Sequence, residues 1–220
     1  MHNVEKNLTK IETCLDALAS EYNRSLPKLI AVSKRQPDSV IDAALKAGHR
    51  IFGENRVQEA ERRWSDRKEK YPDLELHLIG PLQSNKTKDA VALFDVIHTV
   101  DRFKIARRLK NHMDEIGRDI SCMIQVNTGD EDQKSGVAPE AVEDFINRCR
   151  EIDLPVTGLM CIPPIDDRPA FHFALMKKKA DQLGLPHLSM GMSADFKEAV
   201  KHGATHLRIG SAIFGPRPKK

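Results

Sequence analysis

Apolar and polar positions along this chain follow two periods that take turns. From Leu29 onward, short apolar runs rich in β-branched residues alternate with longer stretches whose apolar side chains recur every three or four positions. That is the pattern of repeated βα units around a parallel sheet. The short runs predict strands at 29–33, 50–53, 74–79, 96–99, 120–126, 156–160, 186–189 and 205–209. The longer stretches predict helices at 38–46, 56–69, 85–94, 102–115, 139–151, 169–183 and 194–202. A further amphipathic segment, 4–22, precedes the first strand. No helix is predicted after the last strand, so this segment is expected to complete the outer ring. The expected fold is α/β, a (β/α)8 TIM-like barrel forming a single domain over residues 1–220. An open doubly wound sheet is the competing architecture, but the glycine fingerprints GxGxxG and GxxxxGK[ST] are absent.

Composition narrows the class. With 40% hydrophobic and 30% charged residues, the chain can fill a core and still present a soluble surface. The formal net charge of +3 is spread among acids, and only Lys177-Lys178-Lys179 and the C-terminal Pro-Arg-Pro-Lys-Lys cluster, so a nucleic-acid partner is not expected. The 4 cysteines have no CxxC spacing, which suits free thiols in a reducing compartment; a cytoplasmic protein is expected. No apolar run is long enough for a signal peptide or a membrane span. Cys122 and Cys161 lie in strand-like runs and read as buried hydrophobes rather than nucleophiles. His202 and His206 lack the HExxH glutamate and fall on different predicted elements, which argues against a metal site.

In such a barrel, functional groups gather where strands end. Strand one runs through Ala31-Val32 into Ser33-Lys34, placing an amine at the rim of an apolar interior, where desolvation favours its neutral, nucleophilic form. The bland alternative is a lysine that opens a solvated loop. After strands seven and eight come Ser189-Met190-Gly191-Met192-Ser193 and Gly210-Ser211-Ala212-Ile213-Phe214-Gly215. Their small residues and hydroxyls, with a helix predicted to start near Ser193, compose a phosphate cup where barrels often bind phosphate. Taken singly, Ser193 could only cap a helix and Gly210 only make a turn. Arg208 shares a strand face with His206 and Gly210 and is expected either near a bound ring or in a salt bridge at the barrel mouth. Strands two and three end in segments dense with amides and charges, Glu54-Asn55-Arg56 and Gln83-Ser84-Asn85-Lys86, which read equally as pocket wall or as helix caps.

Five ordered motifs resemble the pyridoxal phosphate homeostasis proteins. They are Ala31-Val32-Ser33-Lys34, Phe52-Gly53-Glu54-Asn55-Arg56-Val57-Gln58-Glu59, His77-Leu78-Ile79-Gly80-Pro81-Leu82-Gln83-Ser84-Asn85-Lys86, Leu188-Ser189-Met190-Gly191-Met192-Ser193-Ala194-Asp195 and Arg208-Ile209-Gly210-Ser211-Ala212-Ile213-Phe214-Gly215. Two connecting motifs, Lys134-Ser135-Gly136-Val137 and Gly158-Leu159-Met160, fit as well. The resemblance implies a barrel like the N-terminal half of bacterial alanine racemases, with pyridoxal 5'-phosphate (PLP) held as a Schiff base on Lys34. It further implies Ser189, Ser193, Gly210 and Ser211 near the phosphate, Arg208 near the pyridine ring, and Asn55, His77 and Met160 at pocket positions. Pro81 stands where relatives often have a different residue, and Ser211 where they often have threonine.

The expected function is PLP homeostasis without catalytic turnover, as a monomer that could pass PLP to PLP-dependent apoenzymes as transient recipients. An amino-acid racemase is the alternative; it needs an acid/base on each face of its substrate, and the only tyrosines, Tyr22 and Tyr71, fall away from strand ends. A phosphosugar enzyme on the same barrel would explain the cup but leaves Lys34 without a clear aldehyde.

Overall fold

The computed structural model describes residues 3–129, 131 and 135–216; Lys134 of the connecting motif and the last four residues of the basic tail lie outside this set. In chain order the elements are α1 Val4–Glu21, β1 Lys28–Val32, α2 Asp38–Lys46, β2 Ile51–Glu54, α3 Val57–Lys70, β3 Glu75–Leu78, α4 Thr87–Leu93, β4 Val96–Val100, α5 Phe103–Ile116 and β5 Ser121–Val126. There follow α6 Val142–Arg150, β6 Val156–Cys161, α7 Pro169–Leu183, β7 His187–Ser189, α8 Phe196–Lys201, β8 His206–Ile209 and α9 Ser211–Phe214. Single 3-10 turns, Ser84–Lys86 and Pro139–Ala141, lead into α4 and α6.

All strands pair in parallel and in sequence order, and β8 returns to β1 to close the barrel. Closure leaves no unpaired sheet edge and rules out the open sheet. The helices form because their apolar residues fall on one face: Ile105, Ala106, Leu109 and Met113 bury one side of α5. Helices α5 and α7 stop at Gly117 and Gly184, whose φ of 64° and 65° place them in the left-handed conformation that ends a helix cheaply only at glycine.

Strand alternation divides the sheet's side chains between two environments. Phe52, Leu76, Ile97, Ile124, Leu159 and Leu207 pack outward against Ile41, Trp64, Ile105, Ile146 and Phe173 of the helical layer, forming one continuous apolar core. Each fully buried side chain of this kind stabilises by about 1.5–3 kcal/mol.

Helix α1 packs against α2, α8 and α9, and so completes the ring between the last and first βα units. Its Asn3 caps the N-terminus by accepting from the Lys6 amide at 3.0 Å. The expectation that no helix follows β8 is corrected by α9, which is four residues long, too short to display a helical period in the sequence.

Candidate functional site

At the C-terminal mouth of the barrel the strand ends surround a cavity of about 530 Å³. Lys34 lies two residues beyond β1, half-buried, and its Nζ donates to Asn55 Oδ1 at 3.3 Å. The loop carrying it is pinned from behind. Glu54 is fully buried and faces α3, accepting from Ser33 Oγ at 2.7 Å, Arg63 at 3.0 Å and Trp64 Nε1 at 3.1 Å. Arg63 also donates to the carbonyls of Ser33 and Gln36, each at 3.1 Å. Glu54 is therefore neither pocket wall nor helix cap; it anchors the lysine's loop to the helical layer. Gly80 approaches from β3 so closely that a Cβ there would lie 2.3 Å from the Asn55 carbonyl oxygen.

Across the mouth, Ser193, Gly210 and Ser211 line the same cavity. Helix α9 opens at Ser211, so its first N–H groups have no acceptor within the helix; that of Ala212 reaches Ser193 Oγ at 3.4 Å. The helix expected to start near Ser193 begins instead at Phe196. The turn before it is closed by Asp195, whose carboxylate accepts from the Met192 amide at 2.6 Å. The Met192 amide is thus occupied within the turn, while Ser193, Ala194, Gly210 and Ser211 line the cavity.

Arg208 is buried and lines the cavity, with one guanidinium nitrogen donating to Ser189 Oγ at 2.6 Å and another to the Cys161 carbonyl at 2.8 Å. These are neutral acceptors, not the carboxylate of a salt bridge. Burial lowers Arg208 from its usual value, but a guanidinium stays charged at any working pH.

The cavity thus gathers Lys34, Asn55, Ser193, Arg208, Gly210 and Ser211. Three other expected residues do not line it. Ser189, His77 and Met160 are fully buried inside the barrel. Ser189 accepts from Arg208 and contacts His98 at 2.8 Å, and His77 contacts His98 at 2.7 Å. Strands β4 and β7 are not neighbours, so the His98 to Ser189 bond spans the barrel interior. Burial pushes His77 down from its ordinary range, and burial, with the cost of charging a ring beside His77, His206 and the Arg208 cation, pushes His98 well below it.

Sequence reasoning assigned no role to Gln125, Asn127 and Ser135, which also line the cavity. Gln125 donates to the Ser135 carbonyl at 2.9 Å, tying Ser135 to the end of β5. The available signal was a polar pair interrupting an apolar run at its C-terminal end, Ile124-Gln125-Val126-Asn127. Cys122 and Cys161 are buried as expected, with desolvation pushing the Cys161 thiol up to about 12. His202 and His206 sit on different elements.

Among the described residues lining the cavity there are two cations, Lys34 and Arg208, and no carboxylate. With hydroxyls and helix-end amides opposite an amine, this donor set suits a small anion bearing an aldehyde. The family model described as alanine racemase, N-terminal domain, matches residues 7–218. The chain is 39% identical to a pyridoxal phosphate homeostasis protein of Pasteurella multocida, with 97% of each chain covered. The solved structure of PipY from Synechococcus elongatus with PLP bound superposes with a TM-score of 0.82 at 34% identity, covering 96% of this chain and 100% of that one. An alanine racemase from Clostridium difficile shares the fold with a TM-score of 0.73 at 15% identity, covering 99% of this chain and 57% of that longer chain.

Proposed function

The chain belongs to the alanine racemase N-terminal domain family and, within it, to the pyridoxal phosphate homeostasis proteins, and from that footing we propose that it binds PLP at the barrel mouth and acts in PLP homeostasis without turning over a substrate. The observation that carries this reading is the cavity itself: Lys34 faces a cup of hydroxyls and amides, with a fixed guanidinium on the wall and no carboxylate among its described lining residues. PLP, when bound, supplies an aldehyde that condenses with an amine and a conjugated ring that can withdraw electrons. Lys34 would hold the aldehyde carbon, with Asn55 orienting its amine. Ser193, Gly210 and Ser211 would hold the phosphate by hydroxyl and backbone donors. Arg208, a permanent cation, would keep a facing ring nitrogen unprotonated and so weaken the ring as an electron sink.

The same residues argue for storage over catalysis. Racemisation needs a proton donor or acceptor on each side of the substrate carbon. Lys34 can serve one side. Tyr22 ends α1 and Tyr71 ends α3, and neither lines the cavity. A monomer that acts in the cytoplasm and releases PLP to dependent apoenzymes completes the proposal. Among the described residues no helix is long and apolar enough to cross a membrane.

The test is a visible spectrum of purified protein loaded with PLP, followed by borohydride reduction and peptide mapping. Label on the peptide containing Lys34 supports the reading, and label on another lysine overturns it. Robust racemisation of alanine or serine by the same preparation would overturn the storage role.

A further inference from the structure

The interior of this barrel departs from the branched apolar layers such barrels usually hold. An unbroken set of side-chain contacts runs through it. Lys28 donates to Glu75 at 2.9 Å, Glu75 meets His77 Nε2 at 2.9 Å, and His77 Nδ1 meets His98 Nε2 at 2.7 Å. His98 Nδ1 then meets Ser189 Oγ at 2.8 Å, which accepts from Arg208 at 2.6 Å. One end is the partly exposed Lys28–Glu75 pair at the N-terminal face; the other is the cavity wall.

Hydrogen placement follows from the two ends. Hydrogen bonding from His77, then from Lys28, holds the Glu75 carboxyl down at about 2, so it is an acceptor. His77 must therefore carry its proton on Nε2. With His77 neutral, its Nδ1 can only accept, so His98 donates from Nε2. His98 Nδ1 then accepts the Ser189 hydroxyl proton, and Ser189 accepts from Arg208. Every bond from Arg208 to Glu75 points away from the cavity, and Lys28 donates to Glu75 from the other side. The reverse polarity would require an imidazolium at His77, a second buried charge beneath Arg208 that desolvation opposes. Ser189 thereby spends its one hydroxyl proton on His98, which explains why it cannot serve a phosphate as a donor.

We infer that Glu75, His77, His98 and Ser189 are positioning residues, a single polarised hydrogen-bond chain that fixes the Arg208 guanidinium at the cavity wall from the opposite face of the barrel. The inference rests on the reading of that cavity as the PLP site, but the chain itself is testable without PLP. Nitrogen NMR of isotope-labelled histidines in the full chain, without added cofactor at about pH 7.5, should find His77 and His98 both protonated on Nε2. An Nδ1-protonated ring at either position, or an imidazolium at His77, overturns the polarity. In Ser189→Ala both rings should stay protonated on Nε2, because Glu75 still sets their polarity, while His98 Nδ1 loses its donor and its nitrogen resonance should move to that of an unbonded ring nitrogen. With PLP added, the bound absorption band should shift and binding weaken about tenfold, the cost of a lost hydrogen bond to a charged group.

At the remote end, Glu75→Gln retains an acceptor and should preserve both tautomers and the band, whereas Glu75→Leu should scramble the tautomers and shift the band. An unchanged His98 Nδ1 resonance and an unchanged band in Ser189→Ala would overturn the inference, and that variant decides the matter if Glu75→Leu does not fold. A parent protein that binds no PLP would instead sink the cofactor reading, leaving the tautomer measurements to judge the chain.

Discussion

Replacing His206 by asparagine should make the protein less sensitive to mild acid. The imidazole is buried inside the barrel, and desolvation, then the cost of charging it beside His77, His187 and the Lys28 cation, lowers it from 6.5 to about 3. The fold therefore favours the neutral ring, and the unfolded chain takes up the extra proton. The stabilising contribution is complete above about pH 6.5 and is lost progressively as the pH falls toward about 3. Between about pH 6.5 and about pH 5 the unfolded ring holds close to one proton more than the folded one, and about 1.5 pH units of that difference amounts to about 2 kcal/mol. Asparagine places its amide near the position of Nδ1, which contacts Thr205 Oγ1 at 2.8 Å, so the substitution removes the titration while keeping a polar contact. Any packing penalty is independent of pH and cancels in the comparison. Urea unfolding of parent and variant at about pH 7.5 and about pH 5 should show the parent losing about 2 kcal/mol more than the variant. The interval stays above the range in which Glu75 protonates, which limits the comparison to histidines. Parallel losses in the two proteins would refute the idea that His206 is held neutral.

Lys34→Ala should abolish the label fixed by borohydride while the cup and Arg208 retain measurable, weakened PLP affinity in equilibrium dialysis; complete loss would show that the cup contributes little. Gly80→Ala should push the Asn55 backbone away from a Cβ that has only 2.3 Å of space. It should lower the urea unfolding free energy by about 1–3 kcal/mol and weaken PLP binding through the displaced Lys34 partner. Titration with a thiol reagent should find Cys14 reacting first in the native protein, because it is half-buried, whereas Cys122, Cys149 and Cys161 should react only on unfolding.

The barrel was legible because each strand is a short apolar run and each long helix a clear three-to-four repeat; helices at Asp38–Lys46 and Pro169–Leu183 have the bounds their patterns predict. Helix α9 escaped because four residues carry no period, and α8 starts late because Asp195 closes a turn before it. Lys34, Arg208 and Gly210 could be placed from strand position and alternation alone. Ser189 and Ser193 could not be told apart in this way. Both follow apolar residues in one small-residue segment, but Ser189 owes its inward commitment to His98, 91 residues away in sequence. His77 was drawn to the pocket by its motif, and the reason it sits deeper is likewise a distant partner. Glu54 looked like a loop carboxylate because nothing in the sequence announces that Arg63 and Trp64, one helix later, turn back to meet it.

Ring closure has a consequence for synthesis. The cavity's amine follows β1, whereas its buried cation and its α9 donors come from β8 and the turn beyond, and β1 and β8 become neighbours only when the barrel closes. Helix α1 waits on the same event, since Asn7 donates to the Ile213 carbonyl at 2.8 Å. A ribosome that has released Lys34 must still make every remaining strand before the cavity has its second wall, because the decisive contacts lie far apart along the chain. Truncated products therefore carry the lysine without the opposite wall of its cavity, which only the finished barrel supplies.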